Sequence, residues 1–532
     1  MTHPPAPRNS SPGPDAGLGD GNWHRAHPLS IMVDGWIAIV GFIGIVLYQL
    51  PRSEDFDAFS LIGNYPYLAI GLAFLLISPI IRWAVTRFQI DDEYVRVSTG
   101  LLNKKHTQIR INRLQSVDMV RPFAARVMGQ SGLIFDVADG GSEALHIRYV
   151  PVNQATQLRA EVLRRAGRTA EPGAEPTPST PHSHESMPGP GREPAPSPEL
   201  DAFARPGETE LARLPRWLTF VLILAAPEAL WLLVAALGSF GGVSIAILFT
   251  GQDLTALLAV VPLALAIGGV MLPRLNSYAN FRLSHSSQGL RISSGFTSTT
   301  DQTLPAGRIQ AVEVHQSWVH RALERYHVTV NVAGFVGGDQ TKATENVQRH
   351  TVLPAGTWPE VERVMPLLIP DLPANQVLAW TYHLSQFSPK QPLRPEQAAL
   401  EEQLFTAPAG ARFFAPWSQP RLAAGVDGKL FVTRHGFISR SAQLVSLNRL
   451  QGVFLRQGPL QRLAGVISLR ADVPAGGVHP LGRHLPVAAA EHLLAAMLAV
   501  ASTARRFRDR TQWMGQAELR EFNRRTKELV NE

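Results

Sequence analysis

The sequence contains no cysteine and comparatively little charge. Because none of its 532 residues is cysteine, disulfides, thiolate metal sites and cysteine nucleophiles are excluded. Charged residues make up only 17% of the chain, whereas hydrophobic residues reach 45%. A chain of this length exceeds what one hydrophobic core supports. We therefore expect several domains, some of them much more apolar than the others.

Common catalytic motifs are also missing. The sequence has no Gly-x-x-x-x-Gly-Lys-Ser/Thr, Gly-x-Gly-x-x-Gly, Gly-x-Ser-x-Gly or His-Glu-x-x-His string. His315, His320 and His327 lie close together, but they are more typical of surface or edge histidines than of a metal site. We expect no enzyme activity, no metal and no cofactor.

Four segments are apolar enough to cross a bilayer, and they form two pairs. They are Leu29 to Leu50, Tyr65 to Ile81, Trp217 to Gly238 and Leu254 to Leu272. Each approaches or exceeds the roughly 20 apolar residues that a membrane helix needs, and none shows the polar face of a soluble helix. The sequence predicts two transmembrane helical hairpins, at residues 29–85 and 213–274.

Charge near the spans predicts their orientation. The loop from Pro51 to Asn64 has one basic residue against three acidic ones, and the loop from Ser239 to Asp253 has no Lys or Arg. Arginines cluster at the opposite span ends, so the positive-inside rule places both termini and all larger segments in the cytoplasm. The net charge of +7 is modest and favours an anionic leaflet over nucleic acid. We predict a multi-pass protein of the cell membrane.

Glu228, beside Pro227 in the third span, is the residue least compatible with hydrocarbon. An intramembrane carboxylate indicates an ion or proton relay by default. We favour a protonated Glu228 bonded to a neighbouring helix, because Asp34, near a membrane edge, is the sole second acid in the spans to which a proton could pass. A small transporter or channel that uses Glu228 stays an alternative function.

The chain repeats one signature three times. Each copy has a glycine, an arginine 13 residues later and a glutamine two residues after the arginine. These are Gly100, Arg113 and Gln115; Gly295, Arg308 and Gln310; and Gly436, Arg449 and Gln451. On a strand each Arg and Gln share one face, so they are either a ligand fork or groups that satisfy the backbone at a strand end. We favour the structural interpretation because the copies otherwise differ.

Each copy ends in a short strand that runs into an X-Pro pair, and an amphipathic helix follows. The string Gly-h-h … Arg-h-Gln-x-Val, where h is a hydrophobic residue, stands after apolar pairs and resembles the bacterial pleckstrin-homology-like (PH-like) membrane proteins of the YdbS/YdbT type. Three copies make the chain similar to the larger YdbT-like members. The resemblance implies three bent seven-stranded sandwiches, each capped by a C-terminal helix, and a smaller partner of the same type. It implies no catalytic residues.

The predicted boundaries follow from spans, repeats and composition. They are a disordered tail at 1–28, hairpin 1 at 29–85, PH-like domain 1 at 86–167, a Pro-rich disordered linker at 168–212, hairpin 2 at 213–274, PH-like domain 2 at 275–372, a connecting segment at 373–417, PH-like domain 3 at 418–503 and a charged helical tail at 504–532. No hairpin directly precedes domain 3, so its neighbours are expected to hold it near the membrane.

We therefore expect a membrane-anchored scaffold that binds itself, or a smaller PH-like membrane protein, in envelope stress or antimicrobial-peptide tolerance. Membrane lipids are further expected partners, and nucleic acid is not. A second alternative is anionic-lipid sensing by domain 1. Only this copy offers several basic residues after its first strands, namely Lys104, Lys105 and Arg110.

Overall fold

The computed structural model describes residues 22–32, 66–101, 104–111, 114–137, 145–170, 209–224, 234–242, 244–245, 261–286, 289–304, 306–332, 350–389, 391–473, 476–507 and 524–525. Asp34, Arg113, Glu228 and parts of all four predicted spans lie outside these residues. The chain divides into two compact units, residues 1–175 and 176–532, which are described separately.

The first unit holds the first repeat. Its elements are β1 (Trp23–Arg25), α1 (Pro66–Val85), β2 (Arg87–Ile90), β3 (Tyr94–Thr99), β4 (Lys105–Arg110), β5 (Leu114–Arg121), α2 (Phe123–Val127), β6 (Gln130–Val137), β7 (Leu145–Pro151) and α3 (Val152–Ala170). Strands β1 to β4 form an antiparallel sheet in chain order, and β5, β6 and β7 lie side by side. The apolar residues of these strands, such as Ile90, Val95, Leu133 and Phe135, are buried.

The second unit begins with the second repeat. Its elements are β8 (Thr209–Arg213), α4 (Arg216–Leu224), α5 (Val261–Tyr278), β9 (Arg282–Ser286), β10 (Gly289–Gly295), β11 (Thr299–Leu304), β12 (Ile309–Gln316), α6 (Trp318–Ala322), β13 (Tyr326–Val332), β14 (Thr351–Gly356) and α7 (Trp358–Leu368). Strands β8 to β11 again run side by side in chain order.

The third repeat follows two helices. The elements are α8 (Ala374–Gln386), α9 (Pro395–Glu402), β15 (Leu404–Thr406), β16 (Ala423–Asp427), β17 (Leu430–His435), β18 (Arg440–Ser446), β19 (Gly452–Arg456), α10 (Pro459–Leu463), β20 (Val466–Asp472), β21 (Leu481–Pro486) and α11 (Val487–Phe507). Each repeat thus has seven described strands in the same order, followed by one helix.

The first strand of each repeat corrects the predicted boundaries. β1 lies in the predicted disordered tail 1–28, β8 in the predicted linker 168–212, and β15 in the connecting segment 373–417. Each pairs antiparallel with the second strand of its own repeat. A strand of three to five residues carries too short a periodic pattern to be recognised, and a long connection separates each from the rest of its sheet. The disorder prediction is therefore wrong for β1 and β8, and the predicted connecting segment contains the first strand of the third repeat.

Two further boundaries shift. The predicted connecting segment 373–417 contains helices α8 and α9, and α8 packs in the core with Trp380 and Leu384 fully buried. Helix α11 continues four residues past the predicted end of domain 3 at 503. The described part of the chain contains no helix that is both long and apolar enough to cross a membrane. The two transmembrane hairpins stay a prediction.

The second and third repeats share one seven-stranded sheet, in the order β14-β13-β12-β18-β17-β16-β15. Strand β12 of the second repeat pairs antiparallel with β18 of the third over six residue pairs, from Ala311↔Val445 to Gln316↔Arg440. One face of this sheet buries Val312, Val314 and Leu444 in a core that includes helices α7 and α8. Strand pairing therefore joins these two repeats directly.

Candidate functional site

One end of the shared sheet is defined by its register. Thr406 pairs with Ala423, Ala423 with Arg434, Arg434 with Ala442, and Ala442 with Val314. Just beyond this row the chain leaves the sheet three times. It does so in the β15–β16 connection (407–422), in the β17–β18 turn (436–439) and in helix α6. These three segments consequently project from the same end of the sheet.

Large apolar side chains are exposed on all three segments. They are Trp318, Phe413, Trp417, Phe437 and Ile438, and their exposed fractions lie between 53% and 76%. We call these five residues the apolar end. Single exposed apolar residues are ordinary on a soluble surface, but five at one end of one sheet form a concentration that needs a reason.

Local backbone geometry fixes this exposure. Gly436 begins the β17–β18 turn with φ +95°, and a Cβ there would lie 1.9 Å from the carbonyl oxygen of Ser439. The turn therefore requires glycine, and it presents the next two residues, Phe437 and Ile438, to solvent. In the β15–β16 connection, 3₁₀ turns at Ala409–Phe413 and Gln419–Arg421 keep the chain compact while Phe413 and Trp417 stay outside.

Arginines surround the apolar end. Arg321 of α6 donates a hydrogen bond to the carbonyl of Ile438 at 3.4 Å, and Arg440 stands opposite Gln316 in the register. Arg421 is only 3% exposed and donates to the carbonyls of Phe387 and Leu384 at the end of α8. Within the described residues, the Nε atoms of Arg421 and Arg440 have no hydrogen-bond partner.

These arginines repel one another electrostatically. Burial, followed by the charges of Arg440, Arg434 and Arg321, lowers the pKa of Arg421 to about 9. Burial and the charge of Arg321 likewise lower the pKa of Arg440. Arg434 differs, because Glu401 accepts hydrogen bonds from both of its terminal nitrogens at 2.5 Å. The remaining cluster of Arg321, Arg421 and Arg440 would be stabilised by an anion.

The corresponding end of the second repeat meets an apolar helix. The Oδ1 atom of Asn276, near the end of α5, accepts hydrogen bonds from the amides of Phe296, Thr297 and Ser298 at 2.8 to 3.3 Å. These residues form the turn after Gly295, which is equivalent to the turn after Gly436. The helix that leads into β9 is thus tied directly to this turn.

A second feature is an unpaired strand edge. β19 lies at the edge of a three-stranded sheet with β20 and β21, and no described strand pairs with its outer side. We call Gly452–Arg456 the open edge. By the repeat signature β19 is equivalent to β12, whose same side is covered by β18. Phe454 and Leu455 are exposed there.

The signature residues lie in two structural settings. Gly100, Gly295 and Gly436 all adopt positive φ at the turn after the third strand. Arg449 is buried, and its Nη1 donates to the carbonyl of Ile309 at 2.9 Å and to that of Gly307. It therefore joins the third repeat to the second.

The other signature residues differ in their burial where the structure describes them. Arg308 is buried in a 3₁₀ turn, Gln310 is half-buried and Gln451 is exposed. The side chains of Arg113 and Gln115 lie outside the described residues. In the third repeat, Arg449 donates its hydrogen bonds to backbone carbonyls. These contacts support the structural interpretation of the signature arginine rather than a ligand fork.

The candidate lipid-binding residues do not form one group. Lys104 and Lys105 are exposed at the start of β4, whereas Arg110 lies at its far end opposite Tyr94. Along a strand this spacing is about 17 Å. The guanidinium of Arg110 instead stacks 5.6 Å from the ring of Tyr94. Lys104 and Lys105 occupy the positions equivalent to Arg440 and Ser441 of the third repeat.

The three histidines noted in the sequence lie at the shared sheet. His315 bonds the hydroxyl of Ser441 at 2.9 Å, and both His320 and His327 contact the carbonyl of Pro354. Burial lowers the pKa of His315 and of His327 to about 4. No group of three metal-ligating side chains occurs in the described part of the chain. All three histidines are half-buried, and each contacts a hydroxyl or a backbone carbonyl.

Comparison with known proteins identifies the repeats. The Bacterial PH domain family matches residues 39–166, 216–368 and 410–501, which together cover more than half of the chain. The chain belongs to this family. Three matches in one chain confirm the repeated PH-like domains and the resemblance to YdbT-type proteins.

One curated relative of this bacterial PH protein is the UPF0699 transmembrane protein YdbT of Bacillus subtilis (strain 168). It is 22% identical over 340 residues, which are 60% of this chain and 64% of the relative. The match thus spans slightly less than two thirds of the relative's length. No solved structure matches the chain.

Proposed function

We propose that this bacterial PH protein is a non-catalytic, membrane-anchored scaffold whose PH-like repeats bind protein chains through strand edges. The pairing of β12 with β18 carries this proposal, because it shows the sheet of one repeat accepting a strand from another. Main-chain pairing of this kind gives affinity without a dedicated pocket. The apolar spans of the sequence and the transmembrane relative support membrane attachment.

The open edge is the proposed binding surface. Sheet edges are usually blunted by Lys, Pro or a bulge, because exposed edges recruit other strands. β19 instead carries Val453, Phe454 and Leu455 before a single charge at Arg456. The equivalent strand β12 already uses this side to bind another repeat, so continuity with that interface favours a strand as the occupant.

A second copy of the chain fits this edge best. In an antiparallel pair centred on Phe454, each Phe454 faces its counterpart, Val453 faces Leu455, and Gly452 faces Arg456. Aromatic and aliphatic pairs directly opposite each other stabilise a sheet, and no like charges meet. Strand β4 of a second copy fits less well, since the register of β12 and β18 would place Arg456 opposite Lys105.

Cysteine cross-linking tests the self-pairing. The chain has no native cysteine, so Phe454→Cys introduces a single thiol. Directly opposed residues of an antiparallel pair lie about 5 Å apart, within disulfide range. We expect a covalent dimer after oxidation of the full-length protein in membranes. Arg470→Cys on β20 is the matched control, because the same pairing would separate its thiols by about 14 Å.

A charge exchange checks the two-fold geometry. Phe454→Glu and Phe454→Lys should each weaken self-association, because the same charge would face itself. Mixing the two variants should restore dimers, which contain one copy of each. Absence of both cross-linking and restoration would refute the second copy as the occupant.

The scaffold function itself needs a broader measurement. Full-length protein purified in native nanodiscs should retain a protein partner in fixed ratio, either itself or a smaller family member. Phe454→Glu should remove that partner without changing membrane retention. A lone chain that carries only lipid would overturn the scaffold proposal. We also propose a role in envelope stress or antimicrobial-peptide tolerance. A strain that lacks this protein should then survive less well when antimicrobial peptide is added.

Anionic-lipid binding is a second candidate function. It is favoured by the exposure of Lys104 and Lys105 together at the start of β4. We expect Lys104→Ala with Lys105→Ala to reduce the anionic lipid that co-purifies with the full chain, and added salt to mimic the change. Arg110→Ala is the control at the far end of the same strand. The transporter alternative rests on Glu228 and gains no support from the described residues.

A further inference from the structure

We infer that the apolar end of the shared sheet rests on the surface of an anionic lipid bilayer, so that the third repeat has a membrane contact of its own. This goes beyond scaffolding and rests only on the membrane attachment in the proposed function. The sequence predicted that the third repeat reaches the membrane through its neighbours alone. The following observations assign it a direct contact.

The first observation is topological. In the first and second repeats the long apolar segments of the sequence lie in the connection between the first two strands. In the second repeat it contains helices α4 and α5, and it closes with a hydrogen bond from the amide of Leu214 to the carbonyl of Phe281 at 3.1 Å. In the third repeat an equivalent bond joins Ala407 and Leu422 at 3.0 Å.

The β15–β16 connection therefore stands in the position of a membrane hairpin. It is much shorter than its counterpart and consists of 3₁₀ turns, so it cannot cross a bilayer. It nevertheless keeps two large aromatic side chains, Phe413 and Trp417, exposed to solvent. In the second repeat, the strand ends that lead into the predicted membrane hairpin would lie at the bilayer surface. The β15–β16 connection occupies the equivalent position and would lie at the same depth.

The composition matches the interface between lipid and water. Tryptophan and other aromatic residues concentrate at this depth, because their rings are apolar and the indole N–H remains near the head groups. The apolar end provides two tryptophans and three other apolar residues on three separate segments. Turns that project from the end of a sheet can each insert a side chain by several ångströms without exposing unpaired strand backbone.

The charges also match an anionic leaflet. Arg321, Arg421 and Arg440 lie among these turns, and Arg412 is on the same connection as Phe413. Glu324, which follows α6, is the acidic residue nearest in sequence to the three segments. Lipid phosphates would offset the mutual repulsion of the arginines, and exposed basic residues are attracted to such a surface.

A lipid surface fits this end better than a protein partner does. The five apolar residues come from three separate segments at the end of a sheet, whereas a partner strand would pair along a sheet edge. The second repeat supports the same contact. Its turn after Gly295, which is equivalent to the turn after Gly436, is hydrogen-bonded to Asn276 of the apolar helix α5. Phe296 in that turn is exposed in the same way as Phe437.

Single labels on the full-length protein test this contact. Trp417→Cys and Phe437→Cys each place one thiol at the apolar end of a chain without native cysteine, and each is labelled with a fluorophore. The protein is then reconstituted into nanodiscs of phosphatidylglycerol and phosphatidylcholine that contain nitroxide-labelled lipid. Leu498→Cys, an exposed apolar position on α11, is the matched control.

We expect lipid-borne nitroxide to quench both labels at the apolar end several times more strongly than the control. Replacing Arg321 and Arg440 together by Gln should reduce the quenching in anionic nanodiscs and leave it unchanged in neutral ones. Conservative Lys replacements at both positions should retain it. These changes leave the turn-forming Gly436 intact.

Labels that remain accessible to aqueous quenchers, although the protein floats with lipid, would overturn the inference and leave membrane attachment standing. Labels shielded from water but not quenched by lipid would also overturn it, because a protein surface would then cover this end. Protein that does not float with lipid would refute the membrane attachment itself.

Discussion

The second and third repeats share one fold but use two of its features differently. In the second repeat, the first two strands are joined through helices α4 and α5, and the outer side of β12 is covered by β18. In the third repeat, a short connection replaces the helices, and the equivalent strand β19 is open. The shared strand order therefore does not determine what a repeat contacts.

The two equivalent strands β12 and β19 also differ in the side chains that they present. Strand β12 presents Glu313 and His315 toward Gln443 and Ser441, and these polar pairs are satisfied inside the molecule. At the equivalent positions β19 presents Phe454 and Arg456. The two equivalent strands therefore differ in the outward residues that would face a paired strand.

The largest expected effect tests whether the two repeats unfold together. Glu401 binds the fully buried Arg434 and also His383, whose Nε2 lies 2.9 Å from the carboxylate. Glu401→Gln leaves a buried guanidinium without a counter-charge, and we expect a loss of about 3 to 5 kcal/mol in the free energy of unfolding. Amides of β12 should exchange faster together with those of β18.

A matched variant at an exposed ion pair provides the control for the loss of unfolding free energy in Glu401→Gln. Asp472→Asn removes an ion pair with Arg470 that is largely exposed and 3.5 Å long, so a loss below about 1 kcal/mol is expected. Unchanged exchange of the β12 amides in Glu401→Gln would show that the two repeats open independently, despite their shared sheet.

A smaller effect is expected at the joint made by Arg449. Arg449→Met removes the donors to the carbonyls of Ile309 and Gly307, and buried carbonyls without partners cost about 2 to 3 kcal/mol together. Urea denaturation measures the loss. Gln451→Ala, two residues away and exposed, should change stability by less than about 0.5 kcal/mol. Equal effects would assign no special role to the signature arginine.

Acid should weaken the shared sheet. Burial, then the charges of Arg483, His315 and Arg421, lowers the pKa of His435 to about 4. The unfolded chain therefore takes up the proton first, and stability that is complete above pH 6.5 is lost as the pH falls toward 4. The loss is roughly 2 kcal/mol for this residue at pH 5. His435→Gln should remove that part of the pH dependence; an unchanged pH profile would contradict the assignment.

The smallest expected effect separates the two turns. Asn276→Ala removes the acceptor for three amides of the turn after Gly295, and we expect about 1 kcal/mol of local destabilisation. Hydrogen exchange of Phe296, Thr297 and Ser298 reports it. The turn after Gly436 should be unaffected, because Asn276 contacts only the second repeat's turn in the described structure. Equal changes in both turns would indicate a global rather than a local effect.

Local features of the fold could be predicted from the sequence. The spacing of Gly436, Arg449 and Gln451 and of the earlier copies indicated three repeats, since a turn that requires positive φ leaves a glycine in each. The family match confirms this. The partner of β12 could not be predicted, because strand pairing across repeats depends on which edges meet in space and not on the strands' own periodicity.

The apolar end could not be predicted from the sequence either, because it too depends on which strands meet in space. Trp318, Phe413 and Phe437 come from three connections that are distant in the sequence, and only the register of the shared sheet places them at one end. The basic residues of the first repeat were visible as a cluster, yet the strand separates Arg110 from Lys104. Sequence proximity within a strand of six residues did not imply a common surface.

The shared sheet also has a consequence during protein synthesis. His315 of β12 and its partner Ser441 of β18 are 126 residues apart, so β12 leaves the ribosome long before its neighbour exists. At typical bacterial elongation rates this interval is roughly 6 to 25 seconds. Throughout it, the edge of β12 that β18 later covers is open to other strands. Completion of the third repeat is therefore the step that ends the exposure of a nascent chain to wrong pairing.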